Sequence, residues 1–173
     1  MELYVIRHSI AHNLGEQGAF TDEARTLTPA GVERAVGVGR GLASLGILPG
    51  LVLVSPAVRT RQTAEHIFGQ MAMPQGALVY SQAAGLGGSA EEILAQLDQQ
   101  PTRHAQVAVV GHEPTMSALI DMLTCNRGGL QVKVGRASVT RVDVNGSPRP
   151  GAGVLRWKLN GDHLAAIARG SNV

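Results

Sequence analysis

Three polar clusters in this chain stand directly behind short apolar runs. Arg7-His8 follows residues 3–6 (LYVI), Ser55-Pro56 and Arg59 follow residues 51–54 (LVLV), and Gly111-His112-Glu113-Pro114 follows residues 106–110 (QVAVV). Runs this short and this rich in Val, Ile and Leu read as strands buried on both faces, the kind found in parallel sheets covered by helices. Residues 77–80 form a further run of the same type. Helix signals lie between them. Thr28-Pro29 supplies an N-cap and a proline at the first helical position, which predicts a helix to about Leu45. Residues 58–71 have helical composition, and Ser89 followed by Glu92 has capping-box spacing that starts a helix to about Gln99. A fourth helix is predicted from Pro114 to about Cys125. Such alternation argues for parallel strands joined by helical crossovers. Two later β-like runs, 137–144 and 154–160, flank the turn 145–151 and read as an added antiparallel hairpin. The expected fold is therefore α/β and three-layered, with a mostly parallel central sheet, helices on both faces and a C-terminal hairpin. A chain of 173 residues, 44% of them apolar, suits one such domain over residues 1–173.

In an open α/β sheet the carboxyl ends of parallel strands line one crevice, so the three clusters are expected to converge. His8, His112, Arg7 and Arg59 would then face a common point. Guanidinium groups present fixed forks of N–H donors that match phosphate oxygens and stay charged at physiological pH. A neutral imidazole is a competent nucleophile toward phosphorus. The combination suits phosphoryl transfer with no metal or other cofactor. Metal ligation is the rival use of the histidines. It fits less well, because the neighbouring arginines would repel a divalent ion and no H-x-x-x-H or H-E-x-x-H spacing occurs.

Taken in order, Arg7-His8, Leu27-Thr28-Pro29-x-Gly31, Ser55-Pro56-x-x-Arg59-x-x-Gln62-Thr63-Ala64 and Gly111-His112-x-Pro114 resemble the motifs of the histidine phosphatase superfamily, also called phosphoglycerate mutase-like. They cover about the first 125 residues. The short loops, the total length and the closing Gly153-Val154-Leu155-x-Trp157 resemble its smallest branch, the bacterial phosphohistidine phosphatases. The resemblance implies that His8 accepts the phosphoryl group while Arg7, Arg59 and His112 hold it. Ser9 stands where the family most often has glycine, and it is small enough to allow close backbone approach. Arg25 is expected to brace the pocket loop, and Asn13, with His12, to reach the pocket rim. Ser9, Arg25 and Asn13 are thus the expected substrate-binding residues. Arg61 falls on another face of its helix and is expected in solvent.

Members of the superfamily that cleave phosphate esters commonly carry an acid after the third strand, whereas residues 81–88 (SQAAGLGG) contain none. Glu91 and Glu92 fit the first turn of a helix instead. The expected activity is removal of phosphate from phosphohistidine in a protein. The alternatives are a small-molecule phosphomonoesterase, with Asp22, Glu23 or Glu113 as acid, and a catalytically idle phosphate-binding or scaffold protein.

Charge and composition bound the partners. Residues 127–169 hold eight Arg and Lys against Asp143 and Asp162, a net of +6, while the remainder is −4. A basic segment suits a phosphorylated protein or a small phosphorylated substrate. Nucleic acid is not expected, because only five aromatic residues are present and none is interleaved with basic ones. No apolar run reaches the roughly 18 residues that span a bilayer, and Met1-Glu2-Leu3-Tyr4 has no basic region before an apolar stretch, so a cytoplasmic protein without membrane contact is expected. Cys125, the one cysteine, follows Met122 and Leu123 in an apolar helical pattern and is expected to be a buried structural thiol.

Overall fold

Six strands and five α-helices, alternating up to a final pair of consecutive strands, make up the computed structural model, which describes residues 1–125 and 129–170. In chain order they are β1 (Glu2–Arg7), α1 (Pro29–Ser44), β2 (Leu51–Val54), α2 (Val58–Phe68), β3 (Leu78–Tyr80), α3 (Ala90–Asp98), β4 (Gln106–Gly111), α4 (Thr115–Thr124), β5 (Val139–Val144), β6 (Gly153–Leu159) and α5 (Gly161–Gly170). The strands form one sheet in the order β3-β2-β4-β1-β5-β6. The first four strands in sequence pair in parallel, while β5 runs antiparallel to β1 and β6 antiparallel to β5. The expected α/β three-layer architecture with its C-terminal hairpin is what the chain adopts.

The sheet's period of two divides the core. Leu3 and Val5 of β1 face one way, with Ile93 and Leu97 of α3 and Leu119, Ile120 and Leu123 of α4. Tyr4 and Ile6 face the other way, with Val38 and Leu42 of α1, Ile67 of α2 and Leu164 of α5. Local signals start the helices where expected. The Thr28 hydroxyl accepts from the Gly31 amide, and Ser89 with Glu92 makes a complete capping box, each cap contributing about 1 kcal/mol.

Four expectations need correction. Helix α2 stops at Phe68 rather than near residue 71. The chain does not end on the hairpin: α5 follows, packing on α1 where the absent side chain of Gly37 leaves room for Ala165. Cys125 caps the C-terminus of α4 and is half-buried, because the helix closes one residue before it. The basic segment does not form one surface. Arg141 pairs with Glu2 and Asp143, and Arg156 with Asp143, near the start of β1, whereas Lys133 and Arg136 are exposed on the approach to β5 and Arg127 lies outside the described residues. Among the described residues, no helix is long and apolar enough to cross a membrane.

Candidate active site

Parallel pairing in register brings the first cluster beside the third. Arg7 aligns with Gly111 across β1 and β4, so His8 and His112 follow the ends of neighbouring strands, their rings 5.2 Å apart and tilted by 55°. β2 lies on the other side of β4, with Val54 opposite Val110, which delivers Ser55 and the first turn of α2 to the same place. His8, Arg59 and His112 are 8%, 3% and 4% exposed, an unusual burial for such polar groups.

The backbone that carries Arg7 and His8 is held from both sides. The His8 amide donates to the Gly111 carbonyl at 3.0 Å and the Arg7 amide to the Ser138 carbonyl at 3.4 Å. The Ala137 amide donates to the carbonyls of both Arg7 and His8, at 3.1 and 3.2 Å. To reach them Ala137 takes φ of 56°, a left-handed conformation that costs a non-glycine residue about 1 kcal/mol. Arg7 is fixed further by donation from Nη1 to the Val134 carbonyl at 2.9 Å.

Hydrogen bonding settles the state of each ring. His8 Nδ1 lies 2.7 Å from the Ser9 carbonyl, which can only accept, so the proton sits on Nδ1. Nε2 then carries the lone pair, and it has no hydrogen-bond partner among the described residues. Burial is the main reason the His8 pKa falls to about 3, with Arg59, His112 and Arg7 adding to the effect. The ring is a neutral base with its free lone pair in a cationic setting. His112 is also neutral, pushed to about 4 by burial and by Arg59. Arg59 Nη2 donates to His112 Nδ1 at 3.1 Å, so His112 Nε2 bears the proton and donates it to Ser55 Oγ at 2.8 Å. Both ring nitrogens of His112 are therefore engaged, Nδ1 by Arg59 and Nε2 by Ser55.

Asp22 completes the arrangement. Its Oδ2 accepts from Arg59 Nη2 at 2.7 Å, its backbone carbonyl accepts from Arg59 Nη1, and its Oδ1 accepts from Arg25 Nη1 at 2.7 Å. Burial works to raise the Asp22 carboxyl, but the hydrogen bonds from Arg25 and Arg59 outweigh it and hold the pKa below the ordinary value. Sequence reading weighed Asp22 only as an acid, and its pairing was missed, because a lone Asp in an irregular loop gives no sign of which distant guanidinium it meets.

The expected substrate-binding residues divide. Arg25 braces the loop as expected, with Nε on the His12 carbonyl and Nη1 on Asp22. Ser9 does not offer its polar groups outward: its amide donates to Thr63 Oγ1 and its hydroxyl to the Gly31 carbonyl. Asn13 is exposed and hydrogen-bonds Glu16, which also takes up His12. Arg61 is half-buried with its Nε shielded, because α2 is covered beyond its inner face. Gln62 and Thr63 have clear tasks: the Gln62 carbonyl oxygen accepts from the Leu27 amide, and Thr63 from Ser9. Residues 81–88 bring no carboxylate; Ser81 pairs with Gln96. Glu113 accepts from Ser117 through Oε2 while Oε1 is buried without a partner. The Nε groups of Arg7 and Arg59 are likewise buried and unpaired. No group of three or more His, Cys, Asp or Glu among the described residues is clustered as metal ligands are. A cavity of about 660 Å³ between α1 and α5 contains none of the four converging residues.

No model of a protein family matches the chain. An uncharacterized protein of Picosynechococcus sp. is 29% identical over 140 residues, covering 80% of this chain and 82% of that protein. Among solved structures, the protein histidine phosphatase SixA complexed with tungstate superposes with a TM-score of 0.80 at 23% identity, over 95% of this chain and 99% of its own. A protein assigned as a phosphohistidine phosphatase SixA from Nakamurella multipartitia gives 0.71 at 27% identity, over 92% and 95%. A phosphoglycerate mutase from Bacillus anthracis gives 0.62 at 19%, over 98% and 96%. These likenesses over nearly the whole chain show that it has the phosphoglycerate mutase-like fold, with His8, His112, Arg7 and Arg59 gathered at the carboxyl ends of its parallel strands.

Proposed function

We propose that the chain is a phosphatase that takes the phosphoryl group from phosphohistidine in a protein onto His8 Nε2 and then gives it to water. The observation that carries this reading is the state of His8: a buried neutral ring, its proton anchored on Nδ1 by the Ser9 carbonyl and its lone pair free on Nε2. A nucleophile of this kind needs no base to activate it. The guanidinium groups of Arg7 and Arg59 lie close enough to His8 to act on its charge, and they supply fixed N–H donors that match phosphoryl oxygens. Arg59, set by His112 and Asp22, is preorganised for the charge that builds up in transfer. In the first step the P–N bond of the substrate breaks as the P–Nε2 bond forms. In the second, water attacks phosphorus and Nε2 leaves.

Preference for phosphohistidine follows from what the site lacks. An alkoxide leaves slowly unless an acid protonates it, an assistance typically worth 10²–10⁴-fold. Residues 81–88 hold no carboxyl group, and Asp22 is held ionised by two arginines. The imidazole of phosphohistidine can already carry a proton and so depart neutral. The likeness to SixA, described as a protein histidine phosphatase, supports the same substrate class. The test is incubation with a histidine-phosphorylated protein and with a panel of phosphate esters, reading released phosphate, with rapid-quench mass spectrometry for phospho-His8. Preferred turnover of phosphohistidine and loss of activity in His8→Ala are expected. An active, folded His8→Ala variant would overturn the mechanism.

A further inference from the structure

Asp22 differs from the other polar groups at the site in being half in solvent. Its side chain is 44% exposed, against 3% for Arg59, so it forms the outer wall of a buried cluster. Each carboxylate oxygen has roughly two acceptor positions. One on Oδ1 is filled by Arg25 and one on Oδ2 by Arg59, both at 2.7 Å. What remains is a pinned, ionised acceptor with unfilled lone pairs, next to the guanidinium assigned above to the phosphoryl group. Two arginines fix its position, so it cannot swing away as a flexible surface carboxylate does. A phosphate ester has nothing to offer such a group, since its bridging oxygen carries no hydrogen and its departing oxygen gathers negative charge. A phosphoramidate does, because its leaving nitrogen or ring is protonated and cationic.

Resting on the function proposed above, we infer that Asp22 is the specificity residue that selects P–N over P–O substrates, by accepting the N–H of the protonated leaving group while Arg7 and Arg59 hold the phosphoryl oxygens. In the transfer step the P–N bond breaks and its electron pair passes to the nitrogen system that already bears the proton, so ammonia or imidazole leaves neutral. The P–Nε2 bond forms on His8. Asp22 neither gains nor loses a proton; it stabilises the cationic form from which the bond breaks and disfavours the anion that an ester would expel.

The test is Asp22→Asn, with Asp22→Ala as a second variant, assayed on phosphoramidate, on a histidine-phosphorylated protein and on p-nitrophenyl phosphate, with thermal unfolding to confirm the fold. The expected result is a change in the ratio of rates. Loss of Arg59 positioning lowers kcat/KM on every substrate, and on the P–N substrates it falls about tenfold or more beyond the fall on p-nitrophenyl phosphate, the size of one lost charge-assisted hydrogen bond. Wild-type enzyme that cleaves p-nitrophenyl phosphate but neither P–N substrate overturns the proposed function and this inference together. If the wild type prefers P–N substrates, three outcomes overturn the inference alone. Equal losses on all substrates mean that Asp22 only positions Arg59. Equal gains mean that it competes with phosphate for Arg59. Unchanged ratios in folded variants mean that it does not contact the leaving group.

Discussion

Gly31 opens α1 two residues after Pro29, and its motif position is explained by the loop beneath it rather than by the helix. A Cβ built at Gly31 overlaps the Ile10 carbonyl oxygen and comes to 2.9 Å from the Ile10 carbonyl carbon. Carbon atoms pack at about 3.5 Å, so that carbonyl must retreat by at least about 0.6 Å, and the oxygen by more. Ile10 is two residues from His8, and between them Ser9 is tied to Gly31 itself through its hydroxyl. A Gly31→Ala change should therefore displace the nucleophile. Misplacement on the scale of 1 Å costs on the order of 10²-fold in rate, so a loss of about 10- to 100-fold in kcat/KM is expected. The helical gain from glycine to alanine, up to about 1 kcal/mol, acts in the opposite direction on stability and leaves a net overpacking loss of up to about 2 kcal/mol. Gly41→Ala is the control. Its Cβ would overlap the Leu164 carbonyl oxygen and come to 2.7 Å from the Leu164 carbonyl carbon, a like backbone crowding on the α5 side of the same helix, away from His8. The assay is phosphate release with rapid-quench measurement of phospho-His8, alongside thermal unfolding. Full activity in Gly31→Ala, or equal activity losses in both variants, would refute the reasoning.

Arg59→Ala should lose roughly a hundredfold in rate, about 3 kcal/mol of transition-state stabilisation, and Arg61→Ala only a few-fold; equal losses would misplace the phosphoryl seat. Ser55→Ala removes the acceptor of the His112 Nε2 proton and should cost about 1–3 kcal/mol in urea unfolding, with a fall in kcat as Arg59 loses its set orientation. Stability should also depend on pH through the two histidines. They titrate near 6.5 when unfolded but at about 3 and about 4 when folded, so the unfolded chain binds more protons between those limits and stability falls as pH drops below 6.5. His8→Ala should flatten that slope between pH 7 and pH 5, and a slope unchanged by His8→Ala would show that His8 is not held neutral. Activity of the wild type should show no inflection near pH 6.5 from the nucleophile.

Strand ends and caps were readable because their causes are local. The LYVI and LVLV runs announce buried strands, and Thr28-Pro29 and Ser89 announce helix starts, all within a few residues. Parallel pairing then brings His8 and His112 together without further information. Helix α5 carried a local signal too, Leu164 and Ile167 at helical spacing, but its docking depends on the distant Gly37 and Gly41 of α1. The partners of Ser9 and Asn13 were not readable for the same reason. Whether a loop side chain faces the pocket is decided by partners such as Thr63, Gly31 and Glu16, and only the Asn13–Glu16 pair is near in sequence.

The nucleophile and its expected discriminator rest on supports of unequal strength. His8 follows a strand flanked on both sides, in parallel by β4 and in antiparallel by β5, and residues 3–6 have no solvent exposure. Its amides should exchange with deuterium only through global unfolding. Asp22 belongs to residues 11–27, a loop closed by the Ala11–Leu27 bridge, with Phe20 85% exposed and Arg25 and Arg59 as side-chain tethers. Such a loop can open while the sheet stays intact. Mild warming or low denaturant should then release Asp22 from Arg59 before the sheet unfolds, so that the function of the site melts ahead of the fold that carries it.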